Sequence, residues 1–225
     1  MKAISALFAA ALVASSASAS ANTISLVNDT TDHLITTATD SITSYTMPVV
    51  SEANGVLINF SFTYTGGPLQ DNDFLAMYFG SSTQPSFGLK ANGGDHSTTN
   101  DLFGRMGGTG GTYLTNTNLV AGSTYDMMGW LLKSGNSSGN YDTLKVWLNP
   151  TDSEIATLTG ADLTLKGNAG FSSLTSVGFR TTNIDNGAVV TINDIQVSAV
   201  PEPGSLALMG LAAAGLGFMR RRKQA

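Results

Sequence analysis

From Val56 to Tyr64 the chain alternates: Val56, Ile58, Phe60, Phe62 and Tyr64 are apolar or aromatic, and Asn59, Ser61 and Thr63 between them are polar, with Leu57 the one exception. A period of two is the repeat of an extended strand with one buried face. Leu144, Val146 and Leu148 repeat it against Lys145, Trp147 and Asn149. Nowhere between residues 22 and 199 do apolar residues keep an i, i+3, i+4 spacing over three turns, so the same stretch cannot bury a helical stripe. Further strands are expected near residues 23–27, 73–79, 87–90, 101–105, 125–132, 174–181 and 189–197. Asn54-Gly55, Gly66-Gly67-Pro68, Asn92-Gly93-Gly94, Gly107 to Gly111, Gly135 to Gly139 and Asn186-Gly187 punctuate them as turns. Many short strands at this spacing predict an all-β fold, a two-sheet antiparallel sandwich. In the last strand Val190 and Ile192 share one phase, and Ile195 and Val197 the other. A β-bulge at Asn193-Asp194 would return all four to the core.

Charge narrows the partners. Residues 22–199 contain six Lys and Arg (Lys90, Arg105, Lys133, Lys145, Lys166, Arg180) against fifteen Asp and Glu, a formal net of −9. A surface this acidic repels phosphate backbones, which excludes nucleic acid as a partner. Thirteen of the fifteen acids are Asp, mostly beside Gly, Asn or Ser, which is turn chemistry first. With no cysteine in the chain, thiol nucleophiles and cysteine-ligated metal are excluded as well.

The two ends have a different grammar. Lys2, the apolar run from Ala3 to Val13 and the small residues up to Ala21 make a secretory signal peptide over 1–21, cleaved after Ala21. That address implies signal peptidase and Sec-type export. The sandwich then spans 22–199, and a tail spans 200–225. The tail opens with Val200-Pro201-Glu202-Pro203, where two prolines forbid a ladder or a helix and give an extended stalk. Fifteen apolar residues follow, 205–219, and then the basic stop Arg220, Arg221, Arg222 and Lys223. As a helix the apolar run is about 23 Å long, short of a hydrocarbon core of about 30 Å, a mismatch that snorkelling arginines can meet. It is expected to form a single transmembrane helix. The positive-inside rule keeps the basic end cytoplasmic and the body in the periplasm.

The V-P-E-P start, short apolar run and terminal basic cluster resemble the PEP-CTERM sorting signal of Gram-negative, exopolysaccharide-producing bacteria. The resemblance implies transient anchoring in the inner membrane, processing by an exosortase near Pro201-Glu202-Pro203, and delivery to the cell surface, the extracellular matrix or the medium. Tails of this class have also been labelled "ice-binding protein C-terminal", which concerns the tail alone; the threonines of the body repeat at no fixed period. A second resemblance covers residues 55–198, through the phrases at 124–152, GFRTT at 178–182 and NDIQV at 193–197. These look like a LamG-like, concanavalin-A-type jelly roll. That resemblance implies a fold and brings no catalytic residues with it.

Candidate chemistry is sparse. Laminarinase-type enzymes on this fold carry an E-x-D-x-E strand motif, and the body has only Glu52 and Glu154, both in loop-like surroundings. Asp71 and Asp73 have the spacing of one strand face but sit in a turn sequence. Gly135-Asn136-Ser137-Ser138-Gly139 matches a nucleophile elbow by letter and lacks its strand-to-helix setting. His33 and His96 are the only histidines, and Gly107 to Gly111 lacks the Lys of a phosphate loop. No cofactor is called for. Calcium is the one metal whose ligand chemistry is present, in the oxygens of Asp71, Asn72, Asp73 and Asp95. Trp147, in opposite phase to Leu144, Val146 and Leu148, is the candidate for stacking a sugar, whereas Trp130 in an apolar stretch is expected in the core. The expected function is a non-enzymatic surface or matrix protein that binds polysaccharide, and the alternative is a secreted glycan-active enzyme on the same fold.

Overall fold

The structure is a computed structural model that describes residues 23–83, 85–93, 100–108, 110–135 and 139–201. The signal peptide at 1–21, the apolar run at 205–219, the basic stop, Glu202, Pro203, Asp95, His96 and Asn136 to Ser138 lie outside the described residues. So does the transmembrane helix expected of the tail. Among the described residues no helix is long and apolar enough to cross a membrane.

Two antiparallel sheets face each other. The first has seven strands: β1 (Ile24–Asp29), β2 (His33–Ile35), β4 (Val56–Gly66), β9 (Thr124–Leu132), β10 (Thr143–Leu148), β11 (Leu163–Lys166) and β13 (Ala188–Ala199). Their order is β1-β13-β4-β9-β10-β11, with β2 also paired to β13. The second has six: β3 (Ser41–Val50), β5 (Phe74–Phe79), β6 (Ser86–Lys90), β7 (Leu102–Arg105), β8 (Thr112–Tyr113) and β12 (Leu174–Thr182), in the order β3-β12-β5-β6-β7-β8. All nine strands read from period two are present, which makes the body all-β.

The core between the sheets is built by the alternation itself. Val56, Ile58, Phe60, Phe62 and Tyr64 of β4 point inward with Leu144 and Val146 of β10, and Leu75, Met77 and Phe79 of β5 meet them with Phe87 and Leu89 of β6. Phe60 stacks on Phe62 at 6.0 Å and packs against Phe87 of the opposite sheet at 5.6 Å. Gly129 of β9 is what lets Phe87 in, because a Cβ there would stand 2.2 Å from its ring. The bulge in β13 is where the alternation demands it. Asn193 pairs with Ser61 and Gln196 with Asn59, so three steps on β13 answer two on β4. Asp194 takes a left-handed φ of 46°. Val190, Ile192, Ile195 and Val197 are all fully buried.

Five elements were not anticipated. β2, β8 and β11 have four residues or fewer. β3 (SITSYTMPVV) is an edge strand with Pro48 in it, as edges tolerate, and its polar residues hide its period. The fifth is helix α1 (Asp152–Thr157), so Glu154 is in a helix and not in a loop. Thr151 caps it: the Thr151 side chain accepts from the Glu154 backbone and the Glu154 carboxylate accepts from the Thr151 backbone.

Candidate functional site

The outward residues of the second sheet form rows across it. In one row Arg180, Ala76, Gly88, Phe103 and Tyr113 are register neighbours; in the next Gly178, Tyr78, Ser86 and Arg105 are. Phe74 and Phe103, with ring centroids 5.5 Å apart, are buried at 7% and 1% exposure. The Arg105 guanidinium lies over both, 5.4 Å from Phe74 and 5.5 Å from Phe103, and Arg180 approaches Phe74 at 6.0 Å. Phe74, Arg105 and Arg180 line an open cleft of about 270 Å³ with Asn72, Lys90, Thr182 and Asn183.

The two arginines are held differently. Arg180 makes two hydrogen bonds of 2.8 Å to the Asp40 carboxylate, which lowers the Asp40 pKa. Arg105 donates its Nε to Ser86 Oγ at 2.8 Å. Among the described residues no carboxylate forms an ion pair with Arg105. Burial, and then the positive charge of Arg180, push its pKa down. Three of the six cations of the acidic body, Lys90, Arg105 and Arg180, thus converge on one cleft. Sequence reasoning counted these residues and did not group them, because the three come from different strands.

Carboxylates do not gather in the same way. Asp73 is buried at 1% exposure and its Oδ2 accepts the Gln70 N–H at 2.8 Å. Burial pushes its pKa up to about 6. Asp101 accepts from the backbones of Asn92 and Leu119, and Asp142 from Ser134 N and Thr143 Oγ1. Each fastens a loop, as the turn reading of the Asp residues expects. Asp71 accepts from Asn92 Nδ2 at 2.9 Å, and Asn72 takes a left-handed φ of 74° at the turn. Among the described residues, no group of three His, Asp or Glu side chains is placed to hold a metal ion. A second cleft, of about 510 Å³, lies by Tyr113, Leu114 and Leu148, and the carboxylate in its wall, Asp162, accepts the Leu148 N–H at 2.8 Å. His33 has a structural post: its Nε2 lies 2.9 Å from Asp29 Oδ2, which also accepts from Tyr45 OH at 2.6 Å. The cluster ties β1 and β2 of one sheet to β3 of the other. Those hydrogen bonds, Tyr45's first, hold Asp29 well below the usual carboxylate range.

Trp147 is on the outer face of the first sheet, as its phase requires, but it offers no surface to a sugar. It is fully buried in a small second core with Leu57, Met128, Leu158 and Val200. Its Nε1 donates to the Thr159 carbonyl at 2.9 Å. The segment after β10, with α1, folds back over it. Trp130 is the more open of the two: partly exposed, with Lys145 Nζ 4.9 Å above its ring and its Nε1 donating to the Asn54 carbonyl.

Val200 is the first residue past β13. Its N–H donates to the Gly55 carbonyl at 3.0 Å, its side chain is 6% exposed, and Asn54 Nδ2 donates to the Pro201 carbonyl at 3.0 Å. The beginning of the tail is therefore docked, and the free stalk expected from Val200 onward does not start there. Residues 199–223 match the family model described as the PEP-CTERM protein-sorting motif.

The chain carries a PEP-CTERM sorting motif.

The motif implies an exported protein that is processed by an exosortase. The motif begins inside the folded body, since Ala199 still pairs with Ile24 and Val56. No curated protein matches the sequence. Solved structures do resemble the fold of the body. A carbohydrate esterase from the Shiga toxin-encoding bacteriophage phi24B is 11% identical, with a TM-score of 0.42, covering 78% of this chain and 90% of its own. An alginate lyase from a Chlorella virus is 11% identical, with a TM-score of 0.38 and coverage of 65% and 72%. A glycosyl hydrolase family protein from Mycobacterium fortuitum is 10% identical, with a TM-score of 0.39 and coverage of 65% and 64%. Likenesses this remote carry no activity across.

Proposed function

We propose that this PEP-CTERM protein is a non-enzymatic component of the cell surface or extracellular matrix, and that its sandwich binds polysaccharide in the cleft on the second sheet. The observation that carries the reading is the cleft itself. Planar guanidinium groups resting on aromatic rings present fixed donors on an open sheet face, the combination that suits the hydroxyl and ring oxygens of a sugar chain. The carboxylates support the same view. Glycosidic chemistry needs two of them across a cleft about 5 to 10 Å apart. The buried ones here accept backbone hydrogen bonds that fasten loops.

The delivery route is part of the proposal. The body is held in the periplasm by the tail, with Arg220 to Lys223 inside, until the exosortase acts at Pro201-Glu202-Pro203. The protein purified from the cell surface should lack peptides from residues 205–219 by mass spectrometry. It should co-sediment with the exopolysaccharide of the cells that make it and release no reducing ends from it. Reducing ends that vanish in Asp162→Asn or Asp73→Asn would instead make it a glycan-active enzyme.

A further inference from the structure

Arg105 is a cation seated on two aromatic rings. Its guanidinium is half-buried against Phe74 and Phe103, its Nε is used by Ser86, and no described carboxylate pairs with it. Arg105 is only partly buried and lines the cleft. A second guanidinium, that of Arg180, shares the Phe74 ring and pairs with Asp40. Lys90 sits in register with Phe74 on the neighbouring strand. Gathering three cations costs repulsion, and seating Arg105 on apolar rings costs solvation. Both costs are offset when an anion enters. Carboxylate geometry matches a guanidinium fork.

We propose that the Arg105–Arg180–Lys90 cleft selects acidic polysaccharide, and that a uronate carboxylate docks against Arg105 with the chain running across the second sheet. The inference rests on the polysaccharide reading and goes further, naming charge as the selector. Residues 22–199 carry a formal net charge of −9, so a cleft that gathers three of their six cations is the place on the body suited to a polyanion.

The test is a titration of the full exported protein with polygalacturonate and with the same polymer methyl-esterified, which removes the charge and keeps the sugars. The free acid should bind at least about tenfold more tightly than the ester, and binding should weaken as salt is raised. Arg105→Met should abolish that preference, and Arg105→Lys should restore only part of it. Should Arg105→Met fail to fold, judged by its melting transition, Lys90→Gln should still lower both affinity and salt dependence. Lys145→Gln on the other sheet should change neither. Equal binding of acid and ester, unaffected by these variants, would overturn the charge selection and leave polysaccharide binding standing. Binding of neither polymer would overturn the inference, while the native exopolysaccharide decides the broader reading separately. Acetate or sulfate competing at millimolar concentration as well as the polymer would reduce the cleft to a free-anion site. Tight binding to phosphatidylglycerol vesicles would assign it to membranes. Either result would overturn the proposal.

Discussion

Phe60 and Ser61 are consecutive residues with opposite duties. Phe60 is 2% exposed between Phe62 and Phe87, whereas Ser61 looks out from the first sheet. Phe60→Ala should cost about 3 to 5 kcal/mol in a urea titration, and Ser61→Ala less than about 0.5 kcal/mol. Asp73 supplies a pH dependence. Burial raises its pKa to about 6 from an ordinary 3.8, so the fold prefers its protonated form. The stability tied to that proton is complete below about pH 4 and is lost as pH rises through 6. Asp73→Asn should therefore gain on the native protein as the urea midpoint is followed from pH 4 to pH 7. A gap between the two that stays constant over this range would show that Asp73 is not the titrating group. Asp29 works in the opposite sense. Its lowered pKa stabilises the fold at neutral pH, and that contribution fades as acid takes the pH below the ordinary carboxylate range.

At the scale of elements, β13 shows how a single residue sets a register. The extra residue at Asn193-Asp194 lets Val190 and Ile192 face the core on one side and Ile195 and Val197 on the other. Asp194 is exposed and left-handed, a conformation that β-branched residues resist. Asp194→Val should cost about 1 to 2 kcal/mol, and Asp194→Gly should cost nothing or stabilise slightly. If both behave alike in thermal melts, the bulge is not strained at this position. The bulge was legible in the sequence because a phase change within one apolar strand has few other solutions. Helix α1 was not anticipated: Thr151-x-x-Glu154 has the form of a capping box, but at six residues the pattern was lost among turns. Edge strand β3 was not legible, because an edge half open to water has no need of a clean alternation.

At the scale of the molecule, the sorting motif and the sandwich share residues. Val200 belongs to the motif and also closes the second core beside Trp147. Val200→Ser should lower the stability of the sandwich by about 2 kcal/mol, measured on the exported protein, although the residue lies beyond the last strand. No change in stability would mean that the motif is independent of the body from its first residue.

The sequence by itself determined nine of the thirteen described strands, that their faces alternate, where the last strand bulges, and that a sorting motif follows the body. All of these are local, because alternation, turn chemistry and linear motifs are written within about ten residues. Only the tertiary structure decided the fates of Trp147 and Arg105. Trp147 is in the phase of an open sheet face, yet the segment carrying α1 folds over it and Val200 closes the gap. Arg105 and Arg180 are 75 positions apart and meet only because β5 and β6 lie between β12 and β7. Phase along a strand says which face a side chain takes. What covers that face, and which strand lies beside it, is set by long-range pairing that no local pattern records.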